Sequence, residues 1–587
     1  MKPIYATHGN LTAVDHLGRK LPEYGEVPEK RDGKTVGLFY YLWHGYHGTQ
    51  GPYDITEILK RDPNAMMNAD SPAWPPAEHT PMLHWGEPMF GYYVSTDPWV
   101  LRRHVEMFIT AGVDVLFFDV TNGFTYKKCF FKLFEILREY NNKGFKAPKV
   151  CFYTAPAIRG CGTGNLAELW ECLYEPMLYS DLWFYWKGKP LIICHSIRSL
   201  PDRVREFFTW RAPTWREPEQ PCTWAWEGNP QKVAVDENGV PEEIAVNVSR
   251  VDCDPNYNSD GMTVGMGSAA YGVPVMGRSW HNGHKDTREN ASHYGFLFEE
   301  QARYALEKDP PVAFLCQWNE WLVPFLTQKT NTLYGMGNRP IHLQDEFNEE
   351  YSRDLEPMRG GYGDAYYLHM IAFIRRFKGL EAPAVADKMY RFDPNDAFAG
   401  WDGVYPIYRE MTGDIAPRDW HGYDAVGRYT NYTGRNEFSV LKAAVDETKI
   451  RFYAACQSVI SAPAPEDWMT LYIKTQNDAL PNWEGYHFAV NRTAPKQNRA
   501  SLEAVAVDGT YRWKSIGEAE IRVCENRIVL ILERAALGLS ESNVRLEFKW
   551  TDNMQEHTVA EFYQNGDAAP RGRLNYLFCT DFDKTAR

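Results

Sequence analysis

The stretch Val312-Ala-Phe-Leu-Cys-Gln-Trp-Asn-Glu-Trp-Leu-Val-Pro324 decides how this chain is read. Val312 to Cys316 form an uninterrupted apolar run, the pattern of a strand buried on both faces within a parallel sheet. The run then stops abruptly in Gln317, Trp318, Asn319, Glu320 and Trp321. In α/β barrels, the residues just past the C-terminal ends of the strands form the reactive face. A carboxylate between two indoles at such a point suits a sugar site, because aromatic faces stack on pyranose rings while carboxylates exchange protons. The same residues also read as an Asn-Glu helix cap beside ordinary core tryptophans.

Upstream, strand-like and helix-like segments alternate. Val36–Trp43 reads as a first strand and ends in His44-Gly-Tyr-His47. Residues 49–90 read as a long loop rich in Pro, Trp and His. Asp97-Pro98 opens a helix, with Asp as N-cap and Pro at the first position, and Gly112 closes it. Strand Val113–Val120, a helix from Tyr126 to Tyr140, strand Lys149–Thr154, a helix from Leu166 to Leu178 and strand Pro190–His195 follow. Phe207–Arg211 reads as a fifth strand and Ile244–Ser249 as a sixth. Residues 250–288 read as a second long loop. A helix from Ala291 to Glu307 leads into the opening stretch as eighth strand, and a helix from Asp364 to Arg376 ends the series. Crossovers of this length imply parallel pairing, so a (β/α)8 barrel is expected.

Past Lys378 the pattern changes. Ile450–Ala455, Met469–Lys474, Arg527–Leu532 and Val544–Trp550 are short alternating segments separated by turn residues, which predicts an all-β sandwich. The expected organisation is a lead-in over 1–34, a barrel over 35–378, a linker over 379–400 and a β-sandwich over 401–587.

Composition narrows the chemistry. The net charge of −14, without any basic block, argues against nucleic acid and anionic membranes as partners. No apolar run is long enough for a membrane span, and the N-terminus lacks an apolar leader segment. A cytoplasmic location is therefore expected for the chain as given, or a periplasmic or secreted one if a leader has been removed. The eleven Cys form no C-x-x-C pair and are expected to be reduced. The 14% aromatic content, with 20 Trp and 35 Tyr, fits extended carbohydrate-binding surfaces as well as aromatic-rich β-structure. An oligo- or polysaccharide is the expected partner, and nothing in the sequence sets the oligomeric state.

Asp119 falls at the end of the second strand, level with Glu320. Two carboxyls at strand ends are what cleavage of a glycosidic bond requires, one protonating the leaving oxygen and the other activating water or stabilising positive charge. Burial against tryptophan raises a carboxyl pKa, which suits an acid acting near neutrality. A turn cap before Thr121 is the structural alternative for Asp119. Glu87 and Glu227 lie in aromatic, Gly-rich loops, and Glu87 is the reserve acid. His44, His84, Trp85, Glu227, Trp280, His281, Asn319 and Trp321 are expected to shape the sugar subsite. His44-x-x-His47 and His281-x-x-His284 also raise a metal-dependent hydrolase such as a deacetylase, but no third ligand is indicated and no metal is assigned. A glycan-binding protein without catalysis, and a glycosyltransferase-associated protein, are the other readings.

Tyr40-Tyr-Leu-Trp43, Gly91-Tyr-Tyr93 before Asp97-Pro98, Arg102-Arg-His104, Ala111–Asp119 and Asn319-Glu-Trp321 together resemble the glycoside hydrolase family 99-like barrels, which include endo-α-mannosidases. The resemblance spans residues 35 to 325. It implies that Glu320 assists attack by the substrate's own 2-hydroxyl. It also implies a general acid/base three residues later, where this chain has Val323. The C-terminal part, with Trp483-Glu-Gly-Tyr486, is similar to family-9-like carbohydrate-binding sandwiches, in which structural calcium sometimes occurs. No other cofactor is implied.

Overall fold

Most of the barrel strands are built on an apolar run that becomes buried, although Thr209–Thr214 is only partly so. The computed structural model describes residues 3–47, 50–76, 80–154, 162–194, 200–214, 218–228, 231–253, 263–331 and 334–582. The chain divides into two compact units, one comprising residues 31–378 and 420–429, the other residues 1–30, 379–419 and 430–587.

The first unit is built on eight parallel strands: β1 (Thr35–Tyr40), β2 (Val115–Val120), β3 (Lys149–Thr154), β4 (Lys189–Ile193), β5 (Thr209–Thr214), β6 (Thr223–Ala225), β7 (Pro241–Asn247) and β8 (Val312–Cys316). Their order in the sheet is β7-β8-β1-β2-β3-β4-β5-β6, with every pair parallel. Among the described residues the β6–β7 seam has no ladder. It is bridged by the Ala225 N–H, which donates to the Glu243 carboxylate at 3.3 Å. The result is a nearly closed parallel barrel.

Helices follow most strands: α1 (Pro98–Ala111), α2 (Lys127–Asn142), α3 (Gly162–Leu169), α4 (Asp202–Phe207), α5 (Phe296–Lys308) and α6 (Ala365–Lys378). The Asp97 side chain accepts from Trp99 N at 3.0 Å, and Gly112 closes α1 at φ 83°, so both caps read from sequence form. The α3 helix runs on into a π-turn, Trp170–Tyr174.

Several sequence expectations are corrected. Phe207 ends α4, and the fifth strand begins at Thr209. The short β6 was missed, so the strand expected as sixth is the seventh. Three residues are too few for a periodic signal. Among the described residues no helix separates β5 from β6 or β6 from β7. The loop expected over 49–90 contains a helix, Ile55–Arg61, and a strand, Met82–His84, that pairs antiparallel with Leu322–Pro324. His195, expected to end the fourth strand, lies outside the described residues.

Phe39, Phe117, Tyr153 and Phe314 fill the barrel, with the Phe117 and Phe314 ring centres 4.8 Å apart and Phe39 5.2 Å from Tyr153. This layer explains Gly37 on β1. A Cβ there would lie 2.4 Å from Phe117 Cε2.

The second unit is one large antiparallel sheet plus its buried core. Strand Lys449–Cys456 shows strict alternation of buried and half-buried positions and pairs with Phe438–Val445 and Arg527–Glu533. Phe452, Ile473, Leu530, Phe548, Trp550 and Phe578 lie in its core. Residues 1–30 and 379–400, read from sequence as lead-in and linker, group with this unit. Leu11–Thr12 pairs with Asn575 and Tyr576 at one edge of the sheet. Buried acids here are held by arginines: Asp552 by Arg435 at 2.8 Å, and Asp414 by Arg571. Among the described residues no group of three or more His, Cys, Asp or Glu is arranged to hold a metal, and no helix is long and apolar enough to cross a membrane.

Gly37→Ala is expected to destabilise the protein by about 1–3 kcal/mol, because the Phe117 ring cannot retreat within a filled barrel. Denaturant unfolding of the variant measures this, and an unchanged midpoint would contradict the packing described.

Candidate active site

The C-terminal ends of β1, β2, β6, β7 and β8 converge, and the long loop from Gln317 to Asp364 after β8 covers them. Polar residues appear here because each strand's apolar run ends at this level. Glu320 follows β8 and is 3% exposed. Its Oε2 accepts from Arg353 Nη2 at 2.6 Å and from Gln317 Nε2. The Glu320 N–H donates to Asp354.

Among the described residues Arg353 is the one guanidinium in contact with the Glu320 carboxylate, and four carboxylates surround it. Besides Glu320 they are Glu227 at 3.3 Å, Asp345 at 3.3 Å and Glu346 at 3.5 Å. One positive charge cannot offset four carboxylates, three of them buried, so the cluster favours holding protons. Burial raises the pKa of both Glu320 and Glu346, and Arg353 opposes the rise. Burial also pushes Asp354 up to about 7, although Glu320 N–H and Trp85 Nε1 donate to it.

Asp119, near the end of β2, is 3% exposed. Its Oδ1 accepts from Thr121 N at 2.9 Å, so the capping role weighed from sequence is real. Burial still pushes it up to about 6, with Asp345 adding to the rise and Arg353 opposing it. Tyr41, just past β1, connects the two acids. Its pKa is raised by burial first and then by both Glu320 and Asp119. The expected pair is therefore brought to one place, around one phenol.

Beside Asp119 lies an aromatic rim. His47 Nε2 pairs with Tyr126 OH at 2.7 Å, and the Asp119 charge, after burial, helps raise the Tyr126 pKa. Tyr46 and Phe124, 51% and 45% exposed, pack against these rings at 5.1 Å (Tyr46 to Tyr126) and 5.0 Å (Phe124 to His47). Exposed aromatics that hold each other rigidly are candidate sugar platforms.

The other expected residues distribute differently. Trp85 and Trp321 are fully buried and stack on each other at 4.5 Å, while their indole N–H groups donate to Asp354 and Glu356. They wall the site and offer no open face to a sugar. Asn319 is consumed by protein partners: it accepts from Tyr41 N and donates to Tyr93 OH. Glu227 joins the Arg353 cluster and accepts from Val251 N. His44 and His84 are buried and act on one another electrostatically. Burial holds His44 well below the usual range and brings His84 down to about 3. His44 Nδ1 meets Ser95 Oγ at 3.2 Å.

Glu87 is ion-paired to Arg359 at 3.3 Å, and the charges acting on it are those of Arg359, Asp54 and Glu57, none of them part of the Glu320 cluster. Trp280 packs on Met276 and Leu297, and His281 pairs with Asp286 and stacks on Phe296. These three are not gathered with Glu320 and Asp119. Val323, at the position where the resemblance places an acid, is fully buried and pairs with Leu83.

Sequence reasoning missed Asp345, Glu346, Arg353, Asp354 and Glu356, all in the loop after β8. A signal existed. Asp345-Glu-Phe-Asn-Glu-Glu350 and Arg353-Asp-Leu-Glu356 are dense in acid, carry one arginine and precede the last barrel helix. Glu356 is fully buried and accepts from Tyr93, Trp321 and His104, fixing the residues on both sides of Glu320.

No protein-family model matches the chain, and no curated protein matches it. Among solved structures, it is similar to the GH99 endo-alpha-mannosidase from Bacteroides thetaiotaomicron in complex with BIS-TRIS-propane. The identity is 14% and the TM-score 0.31, over 58% of this chain and 96% of that one. A second structure of the GH99 endo-alpha-mannosidase from that organism gives 15% identity and a TM-score of 0.29, over 58% of this chain and 97% of that one.

Asp119 makes stability depend on pH in a defined direction. Its folded-state pKa, about 6, lies above its unfolded value, so the protonated form is favoured on folding. The associated stability is fully present below about pH 4 and is lost as pH rises to about 6. Asp119→Asn imitates the protonated group. It is expected to match the wild type near pH 3.5 and to exceed it by about 3 kcal/mol at pH 7, the measurement being unfolding free energies at both pH values.

Proposed function

We propose that the barrel unit hydrolyses a glycosidic bond in an oligo- or polysaccharide. The observation that carries this reading is the placing of Asp119 and Glu320 at the ends of β2 and β8, the two neighbours of β1, both buried and both acting on Tyr41 just past β1. Asp119 titrates near neutrality, as a general acid must if it is to be protonated and yet able to give its proton away. Glu320 is held by Arg353 and Gln317. Its burial makes it a stronger base than an exposed carboxylate once it is ionised.

In this reading the bond from the anomeric carbon to the leaving oxygen breaks as that oxygen takes the Asp119 proton. Water attacks the anomeric carbon and its proton passes to Glu320; where the sugar's own 2-hydroxyl attacks instead, Glu320 takes that proton, and water then opens the resulting 1,2-anhydro sugar at the anomeric carbon, giving a proton to Asp119 while Glu320 returns its proton to the 2-oxygen. Neighbouring charges stabilise the oxocarbenium-like transition state, and the excess of carboxylates over Arg353 favours developing positive charge there. Tyr46 and Phe124 support the sugar beside Asp119, a role the buried Trp85 and Trp321 cannot fill.

Reducing-end release from a glycan panel tests the assignment. Glu320→Gln is expected to lower kcat by about 10²–10⁴-fold on any glycan the wild type cleaves, and full turnover would overturn it. Asp119→Asn is expected to abolish the fall in rate that accompanies a rise of pH through about 6, and to be partly rescued by substrates whose leaving group needs no proton. Activity lost to a chelator and restored by zinc would instead establish a metal-dependent hydrolase.

The rim is tested separately. Tyr46→Ala and Phe124→Ala are expected to raise KM for long oligosaccharides by roughly tenfold each, with kcat little changed, since a stacked ring contributes about 1 kcal/mol or more. Unchanged KM in both variants would remove the platform from the reading.

A further inference from the structure

We infer that Glu346 is a positioning residue for the reaction: through Gln317 and Arg353 it fixes the carboxylate of Glu320 and decides whether Glu320 carries its charge. The inference rests on the reading of Glu320 as the base. It goes beyond that reading in assigning a second, unexposed carboxyl to the control of the first.

The geometry begins with Gln317. Its Oε1 accepts from Tyr41 OH at 2.8 Å, which leaves the amide nitrogen no choice of direction. That nitrogen has two hydrogens, and it gives one to Glu320 Oε2 and one to Glu346 Oε1, the latter at 2.9 Å. Glu346 is fully buried, and its two oxygens also accept from the Arg353 N–H at 3.3 and 3.0 Å. So Glu346 anchors the backbone of the residue whose side chain holds Glu320 at 2.6 Å, and it lies 3.5 Å from Arg353 Nε.

The two carboxyls therefore share one amide and one guanidinium. If Glu346 is ionised, it competes for Arg353 and repels charge on Glu320. If Glu346 keeps a proton, the whole guanidinium charge serves Glu320, which is then an ionised base. The other groups facing the pair are Asp345 and Asp354 from the same loop, Glu227 past β6, Arg278 from the segment before α5, Tyr41 past β1 and Cys316 at the end of β8. Asp119 faces Asp345 and Arg353.

Glu346→Gln imitates the protonated side chain and keeps an acceptor for Gln317. Glutamate labelled with ¹³C at the side-chain carboxyl, with the Glu320 resonance assigned by its loss in Glu320→Gln, reports the Glu320 titration directly. In Glu346→Gln the Glu320 midpoint is expected to fall by about one pH unit, a roughly tenfold change in its ionised-to-protonated ratio. An unmoved midpoint in a folded variant overturns the inference. Should Glu346→Gln not fold, the wild-type resonances decide. Titrations of Glu320 and Glu346 that share two midpoints support the pair, and independent single-step titrations overturn it. Where the wild type cleaves a glycan, the acid limb of kcat/KM is expected to move down with the midpoint. Coupled titration in a protein that cleaves no glycan leaves the proton sharing standing and removes the glycosidase reading alone.

Discussion

Arg353 is the constraint on which the site depends. A guanidinium is always charged and presents several donors in a rigid fork, so it can bind more than one carboxylate at a time. Here it meets Glu227, Glu320, Asp345 and Glu346, and it is itself 3% exposed. Without it, each buried carboxylate would have to take up a proton or draw in water. With it, the rise in proton affinity that burial imposes on Glu320 and Glu346 is opposed. A set of acids of unequal proton affinity in one place is what acid and base catalysis at a single bond requires.

The loop after β8 supplies this arginine along with most of its partners, and the backbone of that loop is tied to the barrel. Leu355 N donates to Gln317 O, and Glu356 N donates to Trp318 O, so the segment runs alongside the residues that end β8. Glu356 then takes the indole N–H of Trp321, the phenol of Tyr93 and the imidazole of His104. The tryptophans near Glu320 thus stabilise the wall through satisfied polar tips and buried rings, in keeping with what indoles do when fully desolvated.

Much of this architecture was legible in the sequence. Continuous apolar runs identify buried parallel strands, and Asp97-Pro98 with Gly112 marks a helix at both ends. That Asp119 and Glu320 lie in one part of the barrel was legible, because both fall at strand ends. Three things were not legible, each for a physical reason. A three-residue strand such as β6 has no periodicity to detect. Alternation of apolar and polar residues cannot distinguish a tryptophan facing a ligand from one facing its neighbour, so Trp85 and Trp321 were expected on the wrong surface. The acids of residues 345–356 look like a solvated charge run until the tertiary fold brings an arginine into their midst. Glu346, with no exposed surface, and Tyr46, half exposed, exchange the roles their residue types suggest.

That residue 323 is a valine and not an acid also follows from packing. Residues 322–324 form a strand against Met82–His84, and Val323 is fully enclosed there. A carboxylate at that point would be desolvated with no cation beside it, a cost of several kcal/mol that a valine avoids. For the hydrolysis proposed above, an acid has to come from a strand end that retains a polar environment. Asp119 meets that condition through the Thr121 N–H and the nearby charge of Arg353, which restrain its pKa to about 6 when burial alone would push it further. The guanidinium that opposes the rise of the Glu320 pKa therefore also limits how tightly Asp119 holds its proton, so one side chain acts on both carboxyls.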